Sequence, residues 1–153
     1  MTEDTEELAA LRFQVLNWIG IVAQLSSTLV NQRLAPLDVS YSQFVVLNHM
    51  TFRGENGLTV TDIARALQAP QPGVTKTVQK LLDKRLMKAV PNPGDGRSKI
   101  LFLTAAGKRL RAKAVKDLSA MAAPPFEGIP KTRLRSMLAD LDQLKIWFDD
   151  NRE

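Results

Sequence analysis

The sequence predicts a mainly α-helical fold with a small β-hairpin wing, a winged helix-turn-helix flanked by N- and C-terminal dimerisation helices. Three observations predict it. Two short amphipathic helices follow one another across a tight turn. Two short apolar strands enclose a tip rich in Pro, Gly, Asn and Asp. The basic charge of the chain is confined to the segment that holds both.

The first element is expected from about Thr5 to Leu34. Leu8, Leu11, Val15, Trp18, Val22, Leu25 and Leu29 step by three and four, a helical period with heptad character. Ile19 and Ile21 widen the apolar surface, so the helix should bury against two neighbours, one of which could be another subunit. Trp18 and Phe44 are expected in the core, and His49 as a surface or satisfied core histidine. Pro36 ends the helix.

Ser40 opens the next helix with Gln43 three residues on, a capping box, and Phe44, Leu47 and Met50 form its inner face. Gly54 to Gly57 is a loop. Thr59 opens a short helix to Gln68, with Asp62 suited both to the cap and to the helix dipole. Ile63, Ala64 and Leu67 point inward. After the turn at Ala69 to Gly73, a helix from Gln71 to Lys84 buries Val74, Val78 and Leu81. Pro72 is tolerable only in its first turn, where the missing N–H has no helical partner.

Strands are expected at Leu86–Val90 and Ser98–Leu103, joined by the turn formers Pro91 to Arg97. Thr104 caps a helix to about Met121. Pro124, Pro125 and Pro130 break the chain. A last helix runs to about Asp150, with Leu134, Met137 or Leu138, Leu141, Leu144 and Phe148 on one face. Residues 1–36 and 122–153 are thus read as dimerisation helices, and 37–121 as the DNA-binding region with its connecting helix.

Composition narrows the function. The 153 residues contain no cysteine and one histidine, His49, which excludes disulfides, thiolate zinc sites, cysteine nucleophiles and multi-histidine metal sites. No metal or cofactor is expected. No Gly-rich phosphate loop or nucleophile elbow is present, so the chain is not read as an enzyme. Pairs such as Asp140 and Asp142 read as solvated acids. No uninterrupted apolar run reaches about 18 residues, and the acidic N-terminus lacks signal-peptide order; the expected location is cytoplasmic, without a membrane partner.

From Arg53 to Lys116 there are 14 Lys/Arg against 4 Asp/Glu, a net +10, while the rest carries 7 against 12, a net −5. Such asymmetry suggests a polyanion site in the middle segment; the plain alternative is a solvated basic face. On the helix from Gln71 to Lys84, Lys76, Gln79 and Lys80 fall opposite the buried face, with Gln71, Gly73, Thr75 and Thr77 toward its N-terminal half. Gln can read adenine, Thr can meet a thymine methyl, and Lys can reach guanine or phosphate. At the hairpin tip, Asp95, Arg97, Ser98 and Lys99 complete the candidate DNA-binding set. Arg97 can enter a narrow minor groove. Asp95 is expected to hold Arg97, or a nearby Arg or Lys, and to fix the loop.

Residues Ser40 to Leu110 resemble the MarR family of bacterial transcriptional regulators. The resemblance rests on Leu37 to Leu47, Leu58 to Leu67, Val74 to Leu81, and most specifically on Pro91 to Lys99 followed by Leu103 to Gly107. It implies that Asp95 is the wing acid and Arg97 the minor-groove arginine. It also implies a homodimer on a pseudo-palindromic operator, a repressor role, and a small aromatic or anionic ligand as partner, for which no residues are assigned. The chain departs from the family at Arg85, where a glycine is usual, at Ala89-Val90, where an arginine is frequent, and at Pro72 and Gly73. The alternative function is a winged-helix protein-interaction module without DNA binding.

Overall fold

A computed structural model describes residues 3–151. Helices α1 (Glu3–Leu34), α2 (Tyr41–Arg53), α3 (Val60–Leu67) and α4 (Gln71–Asp83) precede the hairpin β1 (Met87–Pro91) and β2 (Lys99–Leu103); α5 (Ala105–Ala122) and α6 (Lys131–Asp150) follow. Single 3-10 turns lie at Ala35–Leu37 and Pro124–Phe126. The chain divides into two compact units between Leu118 and Ser119.

In the first unit, local chemistry sets the helix starts. The Ser40 hydroxyl accepts from the Gln43 N–H, and the Gln43 side chain accepts from the Ser40 N–H at 3.3 Å, a complete capping box. Thr59 and Asp62 repeat the arrangement at α3. The Asp62 carboxylate takes both the Thr59 hydroxyl, at 2.7 Å, and the Thr59 N–H, at 3.0 Å. These bonds to Thr59, helped by the charge of Arg65, hold its carboxyl below the usual value against a small opposing effect of burial.

The core gathers Leu47, Met50, Ile63, Val74, Val78, Leu81, Met87 and Leu101 from α2, α3, α4 and the hairpin. Phe44 is partly buried and packs against it. The strands pair antiparallel in the register Met87 with Leu103 and Val90 with Ile100. Leu58 adds a bridge to Leu101. At Gly57, φ is +78° and a Cβ would strike Ile100 and Phe102, so the bend into this bridge requires glycine.

The turn from α4 into β1 fastens α5. Thr104 donates its hydroxyl to the Arg85 carbonyl at 2.8 Å and accepts the Gly107 N–H at 3.0 Å, while its own N–H reaches the Leu86 carbonyl. A Cβ on Gly107 would overlap the Leu86 carbonyl oxygen, so α5 can start here only with glycine. Arg85 itself has φ of +56°, a left-handed conformation held by a non-glycine residue.

Two contacts join distant parts of the chain. Lys84 pairs with the Asp38 carboxylate at 3.0 Å, bonds the Asp38 carbonyl, and reaches the buried Gln43 side chain. Arg111 on α5 donates two bonds to Asn48 on α2, at 3.0 and 2.7 Å, and lies over the Phe52 ring. His49, half-buried one residue further on, is pushed below its ordinary value by burial and by the charge of Arg53.

The apolar stripe of α1 stands open. Trp18, expected in the core, is 61% exposed. By length and composition α1 would suffice to cross a membrane, although Asn17 and Gln24 interrupt its apolar residues. In the second unit no residue of α6 is buried; Leu138, Leu141, Leu144, Trp147 and Phe148 are all exposed.

Element ends differ from the sequence expectation by one or two residues. The helix α4 begins at Gln71, as expected, and takes in Pro72 and Gly73 from the turn. With Pro72 in the first turn, the helix loses no internal bond.

Candidate nucleic-acid interface

The helix α4 buries Val74, Val78 and Leu81 and leaves Gln71, Pro72, Gly73, Thr75, Lys76, Gln79 and Lys80 exposed, with Thr77 half-buried. Every helical candidate therefore lies off the core face. No side chain caps the N-terminus of α4; Pro72 has no N–H, and the Gly73 N–H donates to the Pro70 carbonyl at 3.0 Å.

The polar side chains of this face are not equally free. The Thr75 hydroxyl donates to the Gln71 carbonyl at 2.9 Å and the Thr77 hydroxyl to the Gly73 carbonyl at 3.0 Å. Their protons are committed, which leaves the methyl and an oxygen lone pair for a partner. The Gln79 amide donates one N–H to Asp83 at 2.9 Å, one turn on, which leaves its other N–H and its oxygen for a partner. Among the described residues, no ion pair engages Lys76, Lys80, Arg97 or Lys99. Lys84, by contrast, is spent on Asp38.

The wing tip exposes Gly94, Asp95, Gly96 and Arg97, with Lys99 exposed at the start of β2. Asp95 does fix the loop, but not through a cationic side chain. Its Oδ1 accepts the backbone N–H of Arg97 at 3.0 Å, and no ion pair of Asp95 occurs among the described residues. A carboxylate two residues before an N–H closes a tight local turn more readily than it reaches back along a long, solvated guanidinium. Arg97 is thus pinned by its backbone, with its charge free. Ser98, expected to face DNA, is partly buried and has its hydroxyl engaged by Asn92 at 2.8 Å. Asn92 was not among the candidates, although an Asn two residues before a glycine is a turn signal readable in sequence.

An open groove of about 690 Å³ lies beside the C-terminal half of α4, lined by Asn31, Asp38, Ser40, Gln43, Lys80 and Lys84 among others. Its charged walls are of both signs.

Comparison with known proteins bears on this arrangement. The sequence model of the MarR family matches residues 37–98. The multiple antibiotic resistance protein MarR of Escherichia coli is 30% identical over 89 residues, 58% of this chain and 60% of that protein. The chain therefore spans about 60% of the length of the curated relatives it matches. In fold, it is similar to the S. aureus MepR–DNA complex, with a TM-score of 0.76 and 23% identity over 86% of this chain and 96% of that one. It is also similar to a MarR-family transcriptional regulator from Rhodococcus sp. RHA1, with a TM-score of 0.77 and 24% identity over 88% and 94%. At such identities the structural likeness speaks for the fold alone. Residues 37–98, which hold the helix-turn-helix and most of the wing, are thus similar in sequence to the MarR family, and the fold is that of a winged-helix protein.

Proposed function

We propose that this chain is a transcriptional regulator that binds duplex DNA as a homodimer, and not an enzyme. The observation that carries the reading is a pair of exposed basic elements within one compact unit: α4 with Lys76 and Lys80 unpaired, and a wing with the Arg97 charge unpaired. In this reading α4 enters the major groove. Gln71, Gly73, Thr75, Lys76, Thr77, Gln79 and Lys80 face bases or the adjoining phosphates. Arg97 enters the minor groove, with Lys99 on the backbone and Asp95 and Ser98 shaping the tip. One solved structure of this fold, that of S. aureus MepR, is described as a DNA complex.

The exposed stripes of α1 and α6 supply the dimer, with residues 1–36 and 122–153 as its helices. A two-fold axis then sets two copies of α4 about one DNA turn apart, and the site is a pseudo-palindrome. A repressor role, release by a small aromatic or anionic ligand, and a cytoplasmic location complete the reading; the first two rest on the family resemblance, the last on the sequence reading above.

The test is binding to duplexes selected from a random library by the full chain. Affinity should fall steeply with salt, as when several Lys and Arg displace counterions from phosphate, and the selected sequences should be inverted repeats. Affinity that stays flat between low and moderate salt would leave the winged helix as a protein-interaction module instead.

A further inference from the structure

The loop from Asn92 to Ser98 is a built object rather than a plain charged turn. It consists of two successive four-residue turns. The Asp95 N–H donates to the Asn92 carbonyl at 3.3 Å, and the Ser98 N–H donates to the Asp95 carbonyl at 3.1 Å. Each turn opens on a side chain that copies a backbone acceptor. Asn92 Oδ1 accepts the Gly94 N–H at 3.0 Å, and Asp95 Oδ1 accepts the Arg97 N–H at 3.0 Å.

One bond ties the two turns together. Asn92 Nδ2 donates to Ser98 Oγ at 2.8 Å, across the neck of the loop. Asn92 and Ser98 are partly buried, whereas the four residues from Gly94 to Arg97 are exposed. The clasp therefore sits at the base of the tip, behind the residues that face outward. It uses both ends of one amide: the oxygen shapes the first turn and the nitrogen closes the second.

We propose that Asn92 is a positioning residue for DNA binding, which clasps the wing neck so that Arg97 is presented in its bound geometry before DNA arrives. The proposal rests on the reading that the wing contacts DNA. Asn92 itself reaches no base or phosphate in this account. Its contribution is entropic: a loop already ordered in the free protein does not have to be ordered on binding. Without the clasp, the glycines at 94 and 96 leave the tip many conformations, few of which direct Arg97 at the groove.

The experiment is a double-mutant cycle on the full chain, read as affinity for a selected duplex at fixed salt. Arg97→Ala should weaken binding by roughly 5- to 150-fold. Asn92→Ala should weaken it by about 5-fold or more, since it leaves Arg97 present but unaimed. The double variant should bind within about 2-fold of Arg97→Ala alone, because an aim has no value without the residue aimed. A second readout needs no DNA. In free Asn92→Ala, the Arg97 and Ser98 amides should exchange faster, while the strand amides of β1 and β2 keep their protection.

The outcomes separate the two claims. If Arg97→Ala binds as well as the unaltered chain, the wing reading fails and the positioning role goes with it. If Arg97→Ala weakens binding but Asn92→Ala does not, or the two losses multiply in full, only the positioning role is overturned. Unchanged exchange at Arg97 and Ser98 in Asn92→Ala would overturn it as well.

Discussion

The winged helix and the terminal helices use the same residues to opposite ends. In the first, Leu47, Ile63 and Leu81 are sealed from solvent. In the second, Leu25 on α1 is 63% exposed and Leu138 on α6 is 66% exposed. Both sets step by three and four along a helix. Periodicity thus reveals that a face is meant for burial, but not whether the chain itself supplies the cover. The winged helix is a closed core. The terminal helices each leave an apolar stripe exposed.

The largest test of that contrast is to remove one side of it. Deleting residues 131–153 should abolish the dimer, leaving chains that sediment as monomers or precipitate. The unaltered protein should sediment at twice its 17.0 kDa chain mass. A well-behaved dimer after the deletion would move the whole interface onto other elements.

Next in size is a pair of equal substitutions on the two surfaces. Leu81→Ala opens a cavity in the winged-helix core and should cost about 2–5 kcal/mol of unfolding free energy, with the dimer dissociation constant unchanged. Leu25→Ala removes the same atoms from an open face. It should raise the dissociation constant while leaving the winged helix intact, with a cost of about 1.5–3 kcal/mol per buried side chain. If Leu25→Ala leaves dissociation untouched, its face is not the interface.

The same division separates what could be read in sequence from what could not. The capping boxes at Ser40–Gln43 and Thr59–Asp62 were readable because both partners lie within one turn. The inward faces of α3 and α4 were readable because a 3.6-residue period needs no knowledge of the neighbour. The Lys84–Asp38 and Arg111–Asn48 contacts were not, since their partners are 46 and 63 residues apart and no local pattern links them. Trp18 was misplaced in the core for a related reason: periodicity marks an apolar face without showing what covers it. In the wing, Asp95 and Arg97 stood out by charge, but which part of Arg97 the carboxylate holds depends on the turn geometry. Asn92 was read only as a turn former, since its bond to Ser98 six residues on depends on how the loop closes.

A smaller effect tests the closed region by its caps. Thr59→Ala should cost about 0.5–2 kcal/mol at neutral pH. The cost should shrink in acid, and the sign follows from Asp62. Its carboxyl lies below the ordinary value of 3.8 in the folded chain, so the folded state favours the charged form. That stability is present above the unfolded value and is lost as pH falls through the folded one. Thr59→Ala removes the main cause of the depression. Chemical denaturation at neutral pH and below about pH 4 should therefore show the two proteins converging in acid. A constant difference would mean that the hydroxyl acts without the carboxylate.

The smallest predicted effect has the opposite sign, and it comes from strain that the winged helix carries. Asp38, Gln68 and Arg85 have left-handed backbones, and among the described residues no non-glycine position of α1 or α6 does. All three follow helical or 3-10 segments, where left-handed residues are common; after α4 the Arg85 N–H donates to the Leu82 carbonyl and the Leu86 N–H to the Leu81 carbonyl. Arg85 closes the turn into β1 and has its carbonyl held by the Thr104 hydroxyl, so it cannot relax without loosening the start of α5. Arg85→Gly should remove a steric cost of about 1–2 kcal/mol and return part of it through the greater freedom of the unfolded glycine. The expected net gain is about 0.5–1 kcal/mol in unfolding free energy. DNA affinity measured beside stability then shows what the arginine does. A stabler protein with unchanged affinity places the Arg85 charge outside the interface. A stabler protein that binds more weakly and with a shallower salt dependence makes Arg85 a phosphate contact, so that the strain in this turn is offset by binding.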